Sequence, residues 1–224
     1  MKHKFEADSV HLKYGTREIL SSVYLKLETG QITGLLGRNG SGKTSLIHIL
    51  YGCLKGSHQS IRFDDQYVAY PFKVQDLISY LPQHHYIPAS FTLKRVFTDF
   101  DVDYGSFEKQ FVGFIGKYHA KIMTLSGGER RLVELFLLLK CNSKFVLLDE
   151  PFSHLSPIQT EQIKVLIKET ALTKGILITD HLYQHIIDVA DDIYLLTDGH
   201  MRLIKDLQEL EFFGYLKQIS PNSF

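Results

Sequence analysis

The sequence lacks most of what would mark a secreted, membrane-spanning or nucleic-acid-coating protein. It has only two cysteines, Cys53 and Cys141. They are far apart and match no metal or redox spacing, which argues against a disulfide scaffold and suits a reducing cytosol. Both lie in apolar stretches of helical character, where buried free thiols are expected. Excess charge is also missing, since 25 Lys plus Arg balance 25 Asp plus Glu. No broad surface for nucleic acid or anionic membrane is therefore expected. The longest apolar runs, around residues 132–139 and 186–196, are broken by charge. They fall short of the roughly twenty residues that a spanning helix needs and read as core elements. The opening residues 1–8 carry charge where a secretory signal needs an apolar run. There is no internal repeat and no low-complexity segment. A length of 224 residues suits one large α/β domain with a full core.

What is present centres on Gly37-Arg38-Asn39-Gly40-Ser41-Gly42-Lys43-Thr44, which has the G-x-x-x-x-G-K-[ST] spacing of a phosphate-binding loop. Gly37, Gly40 and Gly42 let the backbone take positive φ and bring its N–H groups up to phosphate oxygens. Lys43 supplies a point charge for the outer phosphates, and the Thr44 hydroxyl is a fitting Mg²⁺ ligand. An apolar run, residues 32–36, predicts a buried strand before the loop, and residues 45–50 predict a helix after it, with its positive N-terminal end at the phosphates.

Around this loop the chain reads as alternating strands and helices. Residues 5–14 and 19–28 predict two antiparallel strands joined at Tyr14-Gly15-Thr16. Tyr14 could stack on a base, although a tyrosine beside a turn is more commonly a half-buried surface residue. Residues 60–63 and 67–70 predict a hairpin turned at Asp64-Asp65-Gln66, and residues 77–82 a strand stopped by Pro82. Gln83 then sits where α/β sheets bind ligands and could reach a metal or a water; a surface glutamine is the default alternative. Helical spacing of Leu93, Val96, Phe97, Phe107, Phe111, Phe114 and Ile115 predicts a helical insertion across residues 92–121.

Leu125-Ser126-Gly127-Gly128-Glu129 precedes an apolar helix. Ser126 can cap that helix, and the N–H groups of Gly127 and Gly128 would make a second anion site, unless the segment is merely a loop. The apolar strand that opens at Lys144 ends in the adjacent carboxylates Asp149 and Glu150, ahead of Pro151, at the sheet edge beside the phosphate loop. There Asp149 would hold Mg²⁺ and Glu150 would polarise the attacking water. Residues 157–170 predict a helix and residues 175–179 a strand ending at Asp180-His181, where the His181 ring could reach a γ-phosphate or a water. His181 and His185 have zinc-protease spacing but lack the glutamate beside the first histidine, so zinc is rejected. Strands over residues 193–196 and 201–204 and a helix from 205 to about 217 complete the reading.

In this order and spacing the motifs resemble the nucleotide-binding domain of ATP-binding cassette (ABC) proteins across essentially the whole chain. The resemblance implies a P-loop NTPase core with a mostly parallel sheet, an N-terminal antiparallel β subdomain, and a small helical subdomain over about residues 84–142. It implies an ATP-binding set of Tyr14, Gly37, Asn39, Gly40, Ser41, Gly42, Lys43, Thr44, Ser45 and Gln83, with Mg²⁺ on Thr44, Gln83 and Asp149. Glu150 and His181 would be catalytic. Ser126, Gly127, Gly128 and Glu129 would form the signature that completes the site of a second cassette, in a homodimer or heterodimer closed around two ATP molecules.

An ATPase of this kind drives a separate transmembrane permease from the cytoplasmic face of the membrane, with no nucleic acid expected. Family members that act on ribosomes or DNA carry a second cassette or a long coiled coil, and neither is seen here, so transport is the expectation. Two positions depart from the family pattern. Glu129 stands where glutamine is usual, and Ser156 where the dimer-contact loop usually ends in aspartate. Residues 149–152 and 177–181 look most like cassettes of branched-chain amino acid importers and the lipopolysaccharide exporter.

Overall fold

A computed structural model describes residues 2–215. The chain runs β1 (Lys4–Tyr14), β2 (Arg17–Glu28), β3 (Gln31–Leu36), α1 (Lys43–Tyr51), β4 (His58–Phe63), β5 (Gln66–Tyr67), β6 (Ile78–Leu81), α2 (Leu93–Asp99) and α3 (Tyr104–Gln110). It continues through α4 (Gly127–Lys140), β7 (Phe145–Asp149), α5 (Pro157–Ala171), β8 (Gly175–Thr179), α6 (Tyr183–Ile187), β9 (Asp192–Thr197), β10 (His200–Ile204) and α7 (Gln208–Phe212).

Two sheets result. One is antiparallel, in the order β2-β1-β4-β5. Its hairpin β4–β5 turns at Asp64 and Asp65, both at positive φ (46° and 65°), as a two-residue turn that matches strand twist requires. The other has six strands in the order β10-β9-β3-β8-β7-β6, parallel except for β10.

The central strands are apolar on both faces, and their two-residue period sorts side chains into two cores. Along β7, Phe145 and Leu147 face a core shared with α1 and the antiparallel sheet. Val146 and Leu148 face the other core, which takes in α4, α5 and the helical insertion. Helix α1 is thus held between the sheets by Leu46, Ile47, Ile49 and Leu50, all buried. Each such side chain contributes roughly 1.5–3 kcal/mol on burial. The insertion has its own aromatic centre, with the Phe107 ring 5.0 Å from Phe136 of α4 and 5.1 Å from Phe97.

Several expectations need correction. The insertion is not continuously helical: α2 and α3 are seven residues each, and Phe114 sits in a 3-10 turn, because Phe111 ends α3 with a non-helical backbone. Ile115, read as part of the apolar stripe, is exposed. The apolar residues of α5 divide between its two faces, with Ile163, Leu166 and Ile167 buried and Ile158 and Val165 exposed. Neither thiol is buried in a helix. Cys53 is exposed and Cys141 half-buried, both just beyond helix ends, where the chain turns to the surface. Helix α7 is shorter than expected, and the end of its expected range, residues 216 and 217, lies outside the described residues. The five-residue α6 carries no signal strong enough to have been expected. No helix among the described residues is long and apolar enough to cross a membrane.

Candidate active site

Four neighbouring parallel strands deliver the candidate residues to one edge. In the order β3, β8, β7, β6, their C-terminal ends lead into the phosphate loop, Asp180-His181, Asp149-Glu150 and Pro82-Gln83. Parallel pairing puts all four exits on the same side, where open α/β sheets place their ligands.

The phosphate loop turns on its glycines. Gly40 and Gly42 have φ of 76° and 106°, and Gly42 caps α1, whose first-turn N–H groups point into the loop. Gly37 is required for another reason, since a Cβ there would stand 2.6 Å from Ser41 Oγ and 2.7 Å from the Leu196 carbonyl. Lys43 folds back across the loop, donating from Nζ to the carbonyls of Gly37 (2.6 Å) and Arg38 (3.3 Å). Burial lowers its pKa, an effect opposed by the Glu150 and Asp149 carboxylates. The Ser41 hydroxyl is buried without a hydrogen-bond partner.

Beside the loop lies a cleft of about 380 Å³ lined by Tyr14, Ile19, Asn39, Gly40, Gly42, Lys43, Thr44, Ser45, Gln83, Glu150 and His181. Tyr14, at the end of β1, is 54% exposed, which leaves its ring free to stack. On the opposite wall the Gln83 amide nitrogen donates toward three oxygens: Glu150 Oε1 (2.8 Å), Thr44 Oγ1 (3.2 Å) and Asp149 Oδ1 (3.3 Å). Asp149 is fully buried; Thr179 Oγ1 donates to its Oδ1 (2.9 Å), and Oδ2 has no partner. Glu150 Oε2 is 2.7 Å from His181 Nε2. Desolvation raises the Glu150 pKa; His181 opposes this, while Asp149 and Asp180 add to it.

Ser126, Gly127, Gly128 and Glu129 do not line this cleft. Ser126 caps α4 by accepting from Glu129 N (3.3 Å), and the Glu129 carboxylate accepts from Ser126 N (2.9 Å) and from Lys117 Nζ (2.8 Å). A Cβ on Gly128 would meet the His154 carbonyl at 2.8 Å, so this segment lies against the loop 153–156 of its own chain. Ser156 itself caps α5, in a capping box with Gln159.

Sequence reasoning missed Arg131, Glu134 and Thr179. Arg131 and Glu134 are wholly buried in α4, and Arg131 donates to main-chain carbonyls beside the site. The available signal was a pair of charges inside an otherwise apolar helix. Thr179, an ordinary strand residue, carried none.

A parallel sheet with a glycine loop between β3 and α1 and carboxylates ending β7 defines a P-loop nucleotide-binding protein. Comparison with known proteins narrows this. A family model described as ABC transporter matches residues 20–153. The lipopolysaccharide export system ATP-binding protein LptB of Escherichia coli is 32% identical over 215 residues, covering 84% of each chain. The protein of that name from Acidithiobacillus ferridurans is 28% identical over 98% of this chain and 97% of its own. Among solved structures, the ATP-binding subunit of an ABC transporter superposes with a TM-score of 0.78 at 18% identity, covering 96% of this chain and 95% of the other. The chain belongs to the ABC transporter family, as an ATP-binding subunit.

Proposed function

We propose that this chain hydrolyses ATP with Mg²⁺, in a dimer of cassettes, to power a permease supplied by other chains. The observation that carries the reading is the meeting of Thr44, Gln83, Asp149, Glu150 and His181 at the mouth of the phosphate loop. Residues 1–224 would act as one cassette, with about residues 84–142 as its helical subdomain.

Mg²⁺ fits the donor set. Three oxygens from Thr44, Asp149 and Glu150 converge on the Gln83 amide group, and Asp149 Oδ2 is buried and unpartnered. Hard oxygen donors of this kind suit Mg²⁺. Thr44 and Asp149 would hold the ion, with Gln83 turning its carbonyl oxygen toward it. When bound, the ion would neutralise charge on the outer phosphates.

The chain's own groups then have distinct tasks. Loop amides and Lys43 bind the phosphates, Tyr14 stacks on the base, Glu150 accepts a proton from the attacking water, and His181 orients it. Ser126, Gly127 and Gly128 are absent from the lining of the chain's own cleft, which supports a role in the site of a symmetric partner. ATP would hold the two cassettes together, and hydrolysis would release them.

A permease partner places the subunit at the cytoplasmic face of a membrane. In this reading the permease selects the substrate, and the relatives named for lipopolysaccharide export indicate the first permease class to test. Steady Mg²⁺-dependent phosphate release that disappears in Lys43→Ala tests the hydrolysis. An ATP-dependent dimer trapped by Glu150→Gln tests the pairing, and an exclusively monomeric Glu150→Gln protein in excess ATP would rule pairing out.

A further inference from the structure

Arg131 is the largest wholly buried side chain among the described residues, and the tasks assigned above leave it without a role. Its guanidinium has five N–H donors in a fixed plane. Nε donates to the Pro151 carbonyl (3.2 Å), Nη2 to those of Asp149 (3.2 Å) and Glu150 (2.8 Å), and Nη1 to that of Pro82 (2.8 Å). Nη1 also faces Glu134 Oε2 at 3.7 Å.

Three successive carbonyls converge on one side chain because the backbone turns sharply at Glu150, whose φ is 52°. Such a conformation is uncommon for a residue with a side chain and persists only where its surroundings hold it. The fourth carbonyl, Pro82, immediately precedes Gln83. Glu134 extends the connection, accepting from Tyr86 N (3.2 Å) and lying 2.9 Å from His85 Nδ1.

Arg131 is also five residues from Ser126, the N-cap of the same helix, about 7.5 Å along the axis. A rigid α4 therefore joins the signature to the peptide that carries Glu150.

We propose that Arg131 is a positioning residue for hydrolysis: it clamps the Glu150 main chain, and through Pro82 the Gln83 segment, to the signature helix. The inference rests on the proposed role of Glu150 in activating water. A displacement of α4, as its N-terminus engages a partner's phosphate, is passed to Glu150 through this clamp. Lysine cannot replace it, because a compact ammonium with three donors cannot serve the four carbonyls that the guanidinium reaches.

The test uses the full chain and the variants Arg131→Lys and Arg131→Gln, with kcat and KM for Mg-ATP, affinity for a fluorescent ATP analogue, and thermal melting. The expected result is a kcat about 10²-fold lower, the cost of a misplaced catalytic group, with analogue affinity within about twofold of the unmodified protein. Because ATP binding then outlasts hydrolysis, both variants accumulate an ATP-dependent dimer on size exclusion. An unchanged kcat, a parallel loss of nucleotide affinity, or loss of the cooperative melt in both variants overturns the proposal in favour of plain packing. No turnover in the unmodified protein would instead sink the hydrolytic function, and the clamp's role with it. Turnover that is abolished by Lys43→Ala yet indifferent to Arg131→Lys would sink the clamp alone.

Discussion

Glu150 Oε2 and His181 Nε2 are 2.7 Å apart, although the residues belong to different strand exits. The contact follows from β7 and β8 pairing in parallel with Asp149 opposite Thr179, which brings the next turns of both strands together. With Gln83 on Oε1, both carboxylate oxygens are engaged, and the side chain is 11% exposed.

The pH dependence follows from that placement. Burial, the largest influence, raises the Glu150 pKa, while the His181 charge lowers it. The ionised form that the proposed proton-accepting role requires is therefore lost at a higher pH than for a free glutamate. The acidic limb of kcat/KM should lie above the ordinary glutamate range, and His181→Gln should move it further up. For folding, a raised pKa gives a stability contribution that is present at low pH and lost as pH rises through the folded-state value. Glu150→Gln should therefore melt higher than the unmodified protein at neutral pH. A limb that moves down in His181→Gln would contradict the assignment.

Glu150→Gln should lower kcat by roughly 10²–10⁴-fold, the usual contribution of a general base, while ATP affinity stays near that of the unmodified protein. Phosphate release and equilibrium binding measured on one preparation separate the two effects.

Ser126 has a folding task and a proposed binding task, and substitutions can split them. Ser126→Ala removes the α4 cap and should cost about 1 kcal/mol in denaturant unfolding. Ser126→Asp keeps a good cap but sets a negative charge where the proposed pairing would bring a partner's phosphate. It should melt normally yet abolish the ATP-dependent dimer in the Glu150→Gln background. A dimer that survives Ser126→Asp would show that the signature does not face phosphate.

The departure at Ser156 has a structural account. Its side chain accepts from Gln159 N while the Gln159 side chain accepts from Ser156 N at 2.9 Å, capping α5 as aspartate also would. Ser156→Asp should change stability by less than about 0.5 kcal/mol, whereas Ser156→Ala should lose about 1 kcal/mol. Chemical denaturation of the pair checks this.

Gly42 is held at φ 106°, where an added Cβ would meet Ile19 Cγ2 at 2.9 Å. Gly42→Ala should cost about 1–3 kcal/mol of strain and weaken ATP binding by at least about tenfold as the loop reshapes. Titration calorimetry would register the loss directly.

The readable part of this protein was local. Glycine spacing marked the phosphate loop, two-residue alternation and apolar runs marked the strands, and Ser126 announced the cap of α4, because each signal acts over a few neighbouring positions. Where a signal is shared by several structures, the fold departs from it. The phenylalanines of residues 107–114 pack into one core, yet only Phe107 does so from a regular α-helix, because aromatic burial does not require helical backbone throughout. The thiols of Cys53 and Cys141 lie just past helix ends, where chain direction, and not the apolar neighbours in sequence, sets exposure.

Local sequence alone set the glycine-rich turn ahead of α1, the carboxylates that end β7, and the Ser126 cap of α4. Only the tertiary structure decided that Thr44, Gln83, Glu150 and His181 meet, since the strand order β3-β8-β7-β6 joins positions more than a hundred residues apart. It also decided that Arg131 closes on the carbonyls around Glu150. A buried charge takes its partners from whatever the fold packs against it, and no periodicity along the chain encodes that choice.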